Sequence, residues 1–137
     1  MKKCIFLLFF AIADCSLNRC HVLQAVKASG LVGIKGYTAG DYVCLAYHAS
    51  GYDPTLNRNP YEYGMFQINS YMWCDDGKTR GRKNLCHLWC KDLLDNYLSN
   101  DLRCVEWIVH GSNGLDSWDT WRTHCKGRDL RSFETGC

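Results

Sequence analysis

The 137-residue sequence predicts an α+β domain, with a helical lobe, a small antiparallel β lobe and a cleft between them. Three observations carry it. Apolar residues recur at helical spacing toward both ends of the chain. An aromatic and β-branched run flanked by turn formers occupies the middle, and the cysteines left after an export signal are even in number.

The chain opens on two lysines, a nine-residue apolar run from Ile5 to Ala13 and then a polar stretch, which reads as a secretory signal. A membrane-crossing helix needs roughly 20 apolar residues, and no later segment approaches that. Small side chains at Ala13 and Cys15 place cleavage after Cys15, giving a signal over 1–15 and a domain over 16–137, with cleavage after Ala13 as the competing site. Without Lys2, Lys3 and Asp14 the remaining chain has 14 basic and 13 acidic side chains, a formal charge of +1. No polyanion partner is implied. Five Trp, eight Tyr and five Phe against two Pro indicate an ordered globule, and nucleic-acid binding, fibrous folds and transport are excluded.

His21 to Ser29 sets Val22, Leu23 and Val26 on one face, with Gly30 as the stop of a first helix. Thr38-x-x-Asp41 resembles a capping box ahead of Tyr42, Val43, Ala46 and Tyr47, so a second helix runs to about Ser50 before Gly51. Turn formers from Asp53-Pro54 to Asn59-Pro60 precede Tyr61–Ile68, read as a small hairpin or sheet. Asp75-Asp76-Gly77 opens a loop whose Lys78, Arg80, Arg82 and Lys83 read as solvated surface. After Ser99-Asn100-Asp101, helical spacing returns in Leu102, Val105, Ile108 and Val109, and again in Leu115, Trp118, Trp121 and Cys125.

Ten cysteines less Cys4 and Cys15 leave eight: Cys20, Cys44, Cys74, Cys86, Cys90, Cys104, Cys125 and Cys137. In an exported chain these make a framework of four disulfides, although eight cysteines allow about 105 pairings. Zinc is the sharper alternative. Cys86-x-x-x-Cys90 has a spacing zinc sites use, but no second close pair accompanies it.

Tyr63-Gly64-Met65-Phe66-Gln67-Ile68-Asn69-Ser70, with steps of 12, 4 and 14 residues through Cys74, Cys86, Cys90 and Cys104 and of 24 from Cys20 to Cys44, resembles the C-type lysozyme and α-lactalbumin family. The likeness covers essentially the whole mature chain and implies a lysozyme-like fold with pairs Cys20–Cys137, Cys44–Cys125, Cys74–Cys90 and Cys86–Cys104. Asn84 to Cys90 and Cys125-x-Gly127-Arg128-Asp129-Leu130 resemble the sperm lysozyme-like branch. His48-x-Ser50-Gly51-Tyr52-Asp53 and Glu62-Tyr63-Gly64 are instead similar to α-lactalbumin, so the subfamily stays open.

The resemblance brings with it the chemistry of retaining glycoside hydrolysis, in which two carboxyl groups about 5 to 5.5 Å apart flank the scissile bond. One, kept neutral by an apolar wall, protonates the leaving oxygen; the other stabilises or attacks the oxocarbenium carbon. The family's acid lies five residues after the cysteine of the second helix, which here is Ala49. The second carboxylate precedes the Tyr-Gly pair and is Glu62. A methyl group donates no proton, and a positioned general acid contributes typically 10² to 10⁴-fold. His48 and Asp53 are the neighbouring candidates for a substitute acid.

The likeness places sugar contacts at Gln67, Asn69, Trp73, Asn113 and Trp118, with amides for hydroxyl and N-acetyl groups and indoles for sugar faces. For Trp118, with Trp121 at helical spacing, a core role is the stronger reading. Met72 stands where tryptophan is common, Gly111 where a rim carboxylate is common, and the hairpin before Glu62 is about four residues shorter than in typical lysozymes. Between Cys90 and Cys104 the family's calcium loop maps onto Asp95, Asn100 and Asp101 side chains with the carbonyls of Asp92 and Tyr97. The plainer reading is that Asn100 and Asp101 cap a helix.

The sequence therefore predicts a secreted lysozyme-like protein, in the extracellular space or an acrosomal or secretory-vesicle lumen, that binds N-acetylglucosamine-containing glycans without efficient hydrolysis. Calcium is the one ion to expect, no cofactor is required, and the chain is expected to be a monomer with no nucleic-acid partner. The alternatives are an active muramidase with a substitute acid and an α-lactalbumin-like modifier of a glycosyltransferase, the latter suggested by Tyr47 and His48.

Overall fold

The computed structural model describes residues 17–137 and, ahead of them, the backbone of two antiparallel strands, β1 (Lys3–Ile5) and β2 (Ile12–Asp14). The expected signal and its cleavage point otherwise lie outside the described residues. No described helix is long and apolar enough to cross a membrane.

α1 (Arg19–Ala28) begins where Asn18 Oδ1 accepts the His21 amide at 3.0 Å, so the helix starts two residues before the His21 expected from the sequence. Val22, Leu23 and Val26 are its buried face. α2 (Ala39–Ser50) starts on the expected capping box, in which Asp41 Oδ2 accepts the Thr38 amide at 2.8 Å, and ends at Gly51 in the left-handed region, φ 63°. Nine of its residues are buried, so it forms the axis of the helical lobe.

The β lobe is a three-stranded antiparallel sheet in chain order: β3 (Asn57–Arg58), β4 (Glu62–Tyr63) and β5 (Ile68–Asn69). Arg58 pairs across from Glu62, and Glu62 across from Asn69. Its inner side buries Tyr63, Met65, Phe66 and Ile68 in the same core as α2. Ser50 Oγ donates to the Met65 carbonyl at 2.7 Å, tying the end of α2 to the β lobe.

α3 (Leu98–His110) follows Tyr97, whose side chain makes no capping bond. Asn100 and Asp101 thus lie within the first turn, and Asp101 is fully buried instead of capping the helix. The helical spacing of Leu115, Trp118 and Trp121 does not give one helix. Gly114–Ser117 is a 3₁₀ turn, Trp118 is extended at φ −106° and ψ 114°, and α4 (Asp119–His124) begins after it. The break has visible causes. Tyr37 Oη accepts the Leu115 amide at 3.0 Å, and Trp118 Nε1 donates to the Phe66 carbonyl at 2.8 Å, which turns the indole toward the β lobe.

Among the described residues there are four disulfides, with the pairing the family resemblance implies: Cys20–Cys137, Cys44–Cys125, Cys74–Cys90 and Cys86–Cys104. Cys86 and Cys90 therefore bond different partners, and the zinc reading falls. Cys20–Cys137 spans 117 residues, a closure that chain-entropy arguments value at about 4 to 5 kcal/mol.

Core packing yields a direct expectation. Ile108, 1% exposed, should lose roughly 2 to 5 kcal/mol of unfolding free energy on Ile108→Ala, whereas Val32→Ala at 47% exposure should stay within about 0.5 kcal/mol. Equilibrium denaturant unfolding of the oxidised protein checks both.

Candidate functional site

The end of α2, the three strands and the start of α4 enclose a cleft of about 350 Å³ that brings together Ala49, Glu62, Gln67, Asn69, Trp73 and Trp118. A larger cavity of about 590 Å³ lies between α1 and α3, but its lining is mostly apolar. Convergent polar groups, which fix a ligand's orientation, are gathered in the smaller one.

Ala49 is 3% exposed and presents its methyl to this cleft. Glu62 is half-buried on the central strand. A second carboxylate in the wall, Asp119, is one that sequence reasoning missed although it directly follows Trp118. It forms an ion pair with Arg122 one turn along α4, and its side chain is 87% exposed. That setting is the reverse of the apolar wall a carboxylic acid needs to keep its proton. Arg58, also unassigned from sequence, lines the cleft opposite Glu62 in register.

His48 also lines the cleft, although position 48 points about 100° away from position 49 on an ideal helix. Its imidazole stacks on that of His124, centroids 4.3 Å apart and planes 7° from parallel. Burial, then His124 and Arg128, push its pKa below the usual histidine value, so it is neutral at neutral pH. Its nitrogen approaches the sulfurs of Cys44 and Cys125, but those are joined in a disulfide and ligate nothing. Asp53 is spent on a turn: its Oδ1 accepts the Thr55 amide at 2.9 Å and the Thr55 hydroxyl at 2.7 Å. It does not line the cleft.

Gln67 sits at φ 48° and donates Nε2 to the carbonyls of Leu56 at 2.9 Å and Gly64 at 2.8 Å. Its Oε1 is buried without a hydrogen-bond partner, in a residue that lines the cleft. Asn69 Oδ1 accepts the amides of Tyr71 at 3.1 Å and Met72 at 2.9 Å, which leaves Nδ2 as its free donor. Trp118 is 9% exposed with its N–H already bonded, so only part of its ring edge or face reaches a ligand; Trp73, half-buried, is the more open indole. Asn113 is exposed at the start of the Gly114–Ser117 turn and does not line the cleft.

The loop before α3 holds the other unusual group. Asp101 is fully buried, and neither carboxylate oxygen has a hydrogen-bond partner. Burial pushes its pKa up to about 8; the neighbouring charge of Asp95 adds to this, and the nearby amides of Asp101 and Met65, which lie outside hydrogen-bonding geometry, offset it only in part. Around it, Asp92 and Asn100 are half-buried, Asp95 is exposed with Oδ1 accepting the Tyr97 amide at 3.0 Å, and the Tyr97 side chain is 77% exposed. An orphaned, desolvated carboxylate beside a second carboxylate suits a hard cation with oxygen ligands.

A two-lobed, four-disulfide α+β fold with a cleft at the end of the second helix defines a lysozyme-type protein. The chain belongs to the C-type lysozyme/alpha-lactalbumin family, whose model matches residues 15–137. It is 46% identical over 124 residues to sperm acrosome-associated protein 5 of Homo sapiens, covering 88% of this chain and 77% of that protein. Lysozyme C II of Oncorhynchus mykiss is 42% identical over 142 aligned positions, covering 100% of this chain and 99% of that one. Lysozyme C-1 of Sus scrofa is 42% identical over 123 residues, covering 88% and 96%.

The raised pKa of Asp101 has a defined pH signature. The unfolded chain releases this proton near its ordinary value of 3.8 and the folded one near 8, so without cations stability is full below the lower value and falls as pH rises to the upper one. Thermal melts in chelator should show the wild type losing stability between about pH 4 and 8, and Asp101→Asn losing clearly less.

Proposed function

We propose that this protein is secreted and holds N-acetylglucosamine-containing glycans in its cleft without efficiently cleaving them. The observation that carries this is Ala49, which puts a methyl in the cleft wall where the family's route needs a proton donor, while Glu62, Gln67, Asn69, Trp73 and Trp118 share the same cavity. Asn69 Nδ2 supplies a donor to hydroxyl and N-acetyl groups, and Trp73 a surface for a sugar face. A formal mature charge of +1 gives little attraction to an anionic bacterial wall, which fits a binding role. The relation to sperm acrosome-associated protein 5 supports an acrosomal or other secretory-vesicle setting.

The loop over residues 92–101 is part of the proposal as a calcium site, with Asp95, Asn100 and Asp101 side chains and the carbonyls of Asp92 and Tyr97 as ligands. Bound there, the ion would supply the counter-charge that Asp101 lacks. Asn100 in place of an aspartate reduces the ligand charge by one, so affinity should be modest.

A second reading is hydrolysis with His48 as substitute acid, favoured by its place in the cleft wall. Its lowered pKa confines that activity to acidic pH, where the imidazole carries a proton to give.

Titration with an N-acetylglucosamine tetrasaccharide should shift the tryptophan fluorescence; an unchanged spectrum at millimolar sugar would refute glycan binding in this cleft. Clearing of a bacterial wall suspension should be absent at neutral pH, and Ala49→Glu should raise any residual rate, toward the 10² to 10⁴-fold typical of a positioned acid. Lysis by the unaltered protein at pH 5 that disappears in His48→Ala would favour the second reading.

A further inference from the structure

The buried carboxylate of Asp101 and the cleft are separated by one turn of chain. A Cβ on Gly64 would sit 3.0 Å from Asp101 Oδ2 and 2.2 Å from the Leu93 carbonyl oxygen, so the Gly64 backbone is wedged against the loop that holds Asp101. Gly64 has φ 81°. Its carbonyl accepts two bonds from a single residue, Gln67, through the backbone amide at 3.1 Å and Nε2 at 2.8 Å. Gln67 is itself a lining residue of the cleft, and its Oε1 is buried without a partner. The next carbonyl in the turn, that of Met65, is held by Ser50 Oγ, so the turn is fixed on its α2 side and packs against the Asp101 loop on the other.

We propose that a cation held by the loop over residues 92–101 sets the conformation of the Gly64–Gln67 turn and through it the glycan affinity of the cleft, each site strengthening the other. This rests on the glycan-binding reading above. A cation ligated by Asp101 fixes the carboxylate and the Leu93 carbonyl that flank Gly64. A sugar seated against Gln67 in the cleft wall fixes the same turn from the other side. Whichever arrives second finds the turn already ordered and loses less conformational freedom, which is positive coupling. Thermodynamic linkage then requires the same factor in both directions.

The test is calorimetric titration of the oxidised protein with an N-acetylglucosamine tetrasaccharide, once in millimolar calcium and once in chelator. Affinity should be at least about five-fold higher with calcium, and calcium affinity should rise by the same factor in saturating sugar. Asp101→Asn should remove the difference and leave sugar binding at its calcium-free level. Asp95→Asn leaves the Gly64 contact intact, so it should demand more calcium and still reach the full factor. Equal sugar affinities in the two buffers, with calcium heat present, overturn the coupling and leave glycan binding standing. Sugar binding without any calcium heat overturns the coupling and the cation site together, and absence of sugar heat in both buffers overturns glycan binding along with it.

Discussion

The arrangement of the β lobe depends on a contact that no side chain would permit. Gly64 brings its α-carbon against the Leu93 carbonyl, where an added Cβ would lie only 2.2 Å from the oxygen. Only at that distance can the turn between β4 and β5 nest against the loop before α3, and only then do Glu62 and Gln67, on either side of it, face the helical lobe across the cleft. The left-handed φ of 81° at the same residue removes the other obstacle, since a side chain there would be strained even with space to occupy. One glycine thus sets both the depth of the cleft and the burial of Asp101.

The opposite wall is held by covalent and aromatic links between α2 and α4. Cys44–Cys125 joins the two helices at a Cα separation of 6.0 Å, His48 stacks on His124 beside it, and Trp121 donates its N–H to Asp41 at 3.2 Å. Trp118 and Asp119 therefore keep their place relative to Ala49, while Ser50 anchors the end of the same helix to Met65. A wall fixed this way has little freedom left to lose when a ligand enters, so what a ligand can still order lies on the side of the Gly64–Gln67 turn.

Much of this was legible in the sequence because it is local. The Thr38–Asp41 box and the Gly51 stop lie within one or two turns of the helix they bound, and the four cysteine pairs followed from spacings that match a known family. What escaped is what distant segments decide. Leu115, Trp118 and Trp121 have the spacing of a helix, but Tyr37, 78 residues before Leu115, takes the amide that helps break it. Asn100 and Asp101 look like caps because nothing nearby reveals that the Gly64 turn will cover Asp101. Asn113 holds the family's position in sequence and yet sits exposed at the start of a 3₁₀ turn. Asp119 passed unnoticed because a lone carboxylate has no meaning until its neighbours across the cleft are known.

Binding and catalysis separate cleanly at such a site. Interactions made equally to substrate and transition state lower the dissociation constant and leave the chemical step untouched; only groups that act as charge and protons move accelerate it. Under the proposed glycan-binding reading, Gln67, Asn69 and Trp73 belong to the first kind, since amides and an indole would meet the same hydroxyls and ring face before and during reaction. Position 49 belongs to the second, because a general acid matters only when the leaving oxygen takes its proton. The two carboxylates in the cavity do not fill that role: Glu62 occupies the other partner's place, and Asp119 is held in an exposed ion pair by Arg122. On the proposed reading, a methyl at position 49 takes away the proton donor and leaves the groups that hold a glycan, which is why binding without turnover is the outcome that the proposal expects of this cleft.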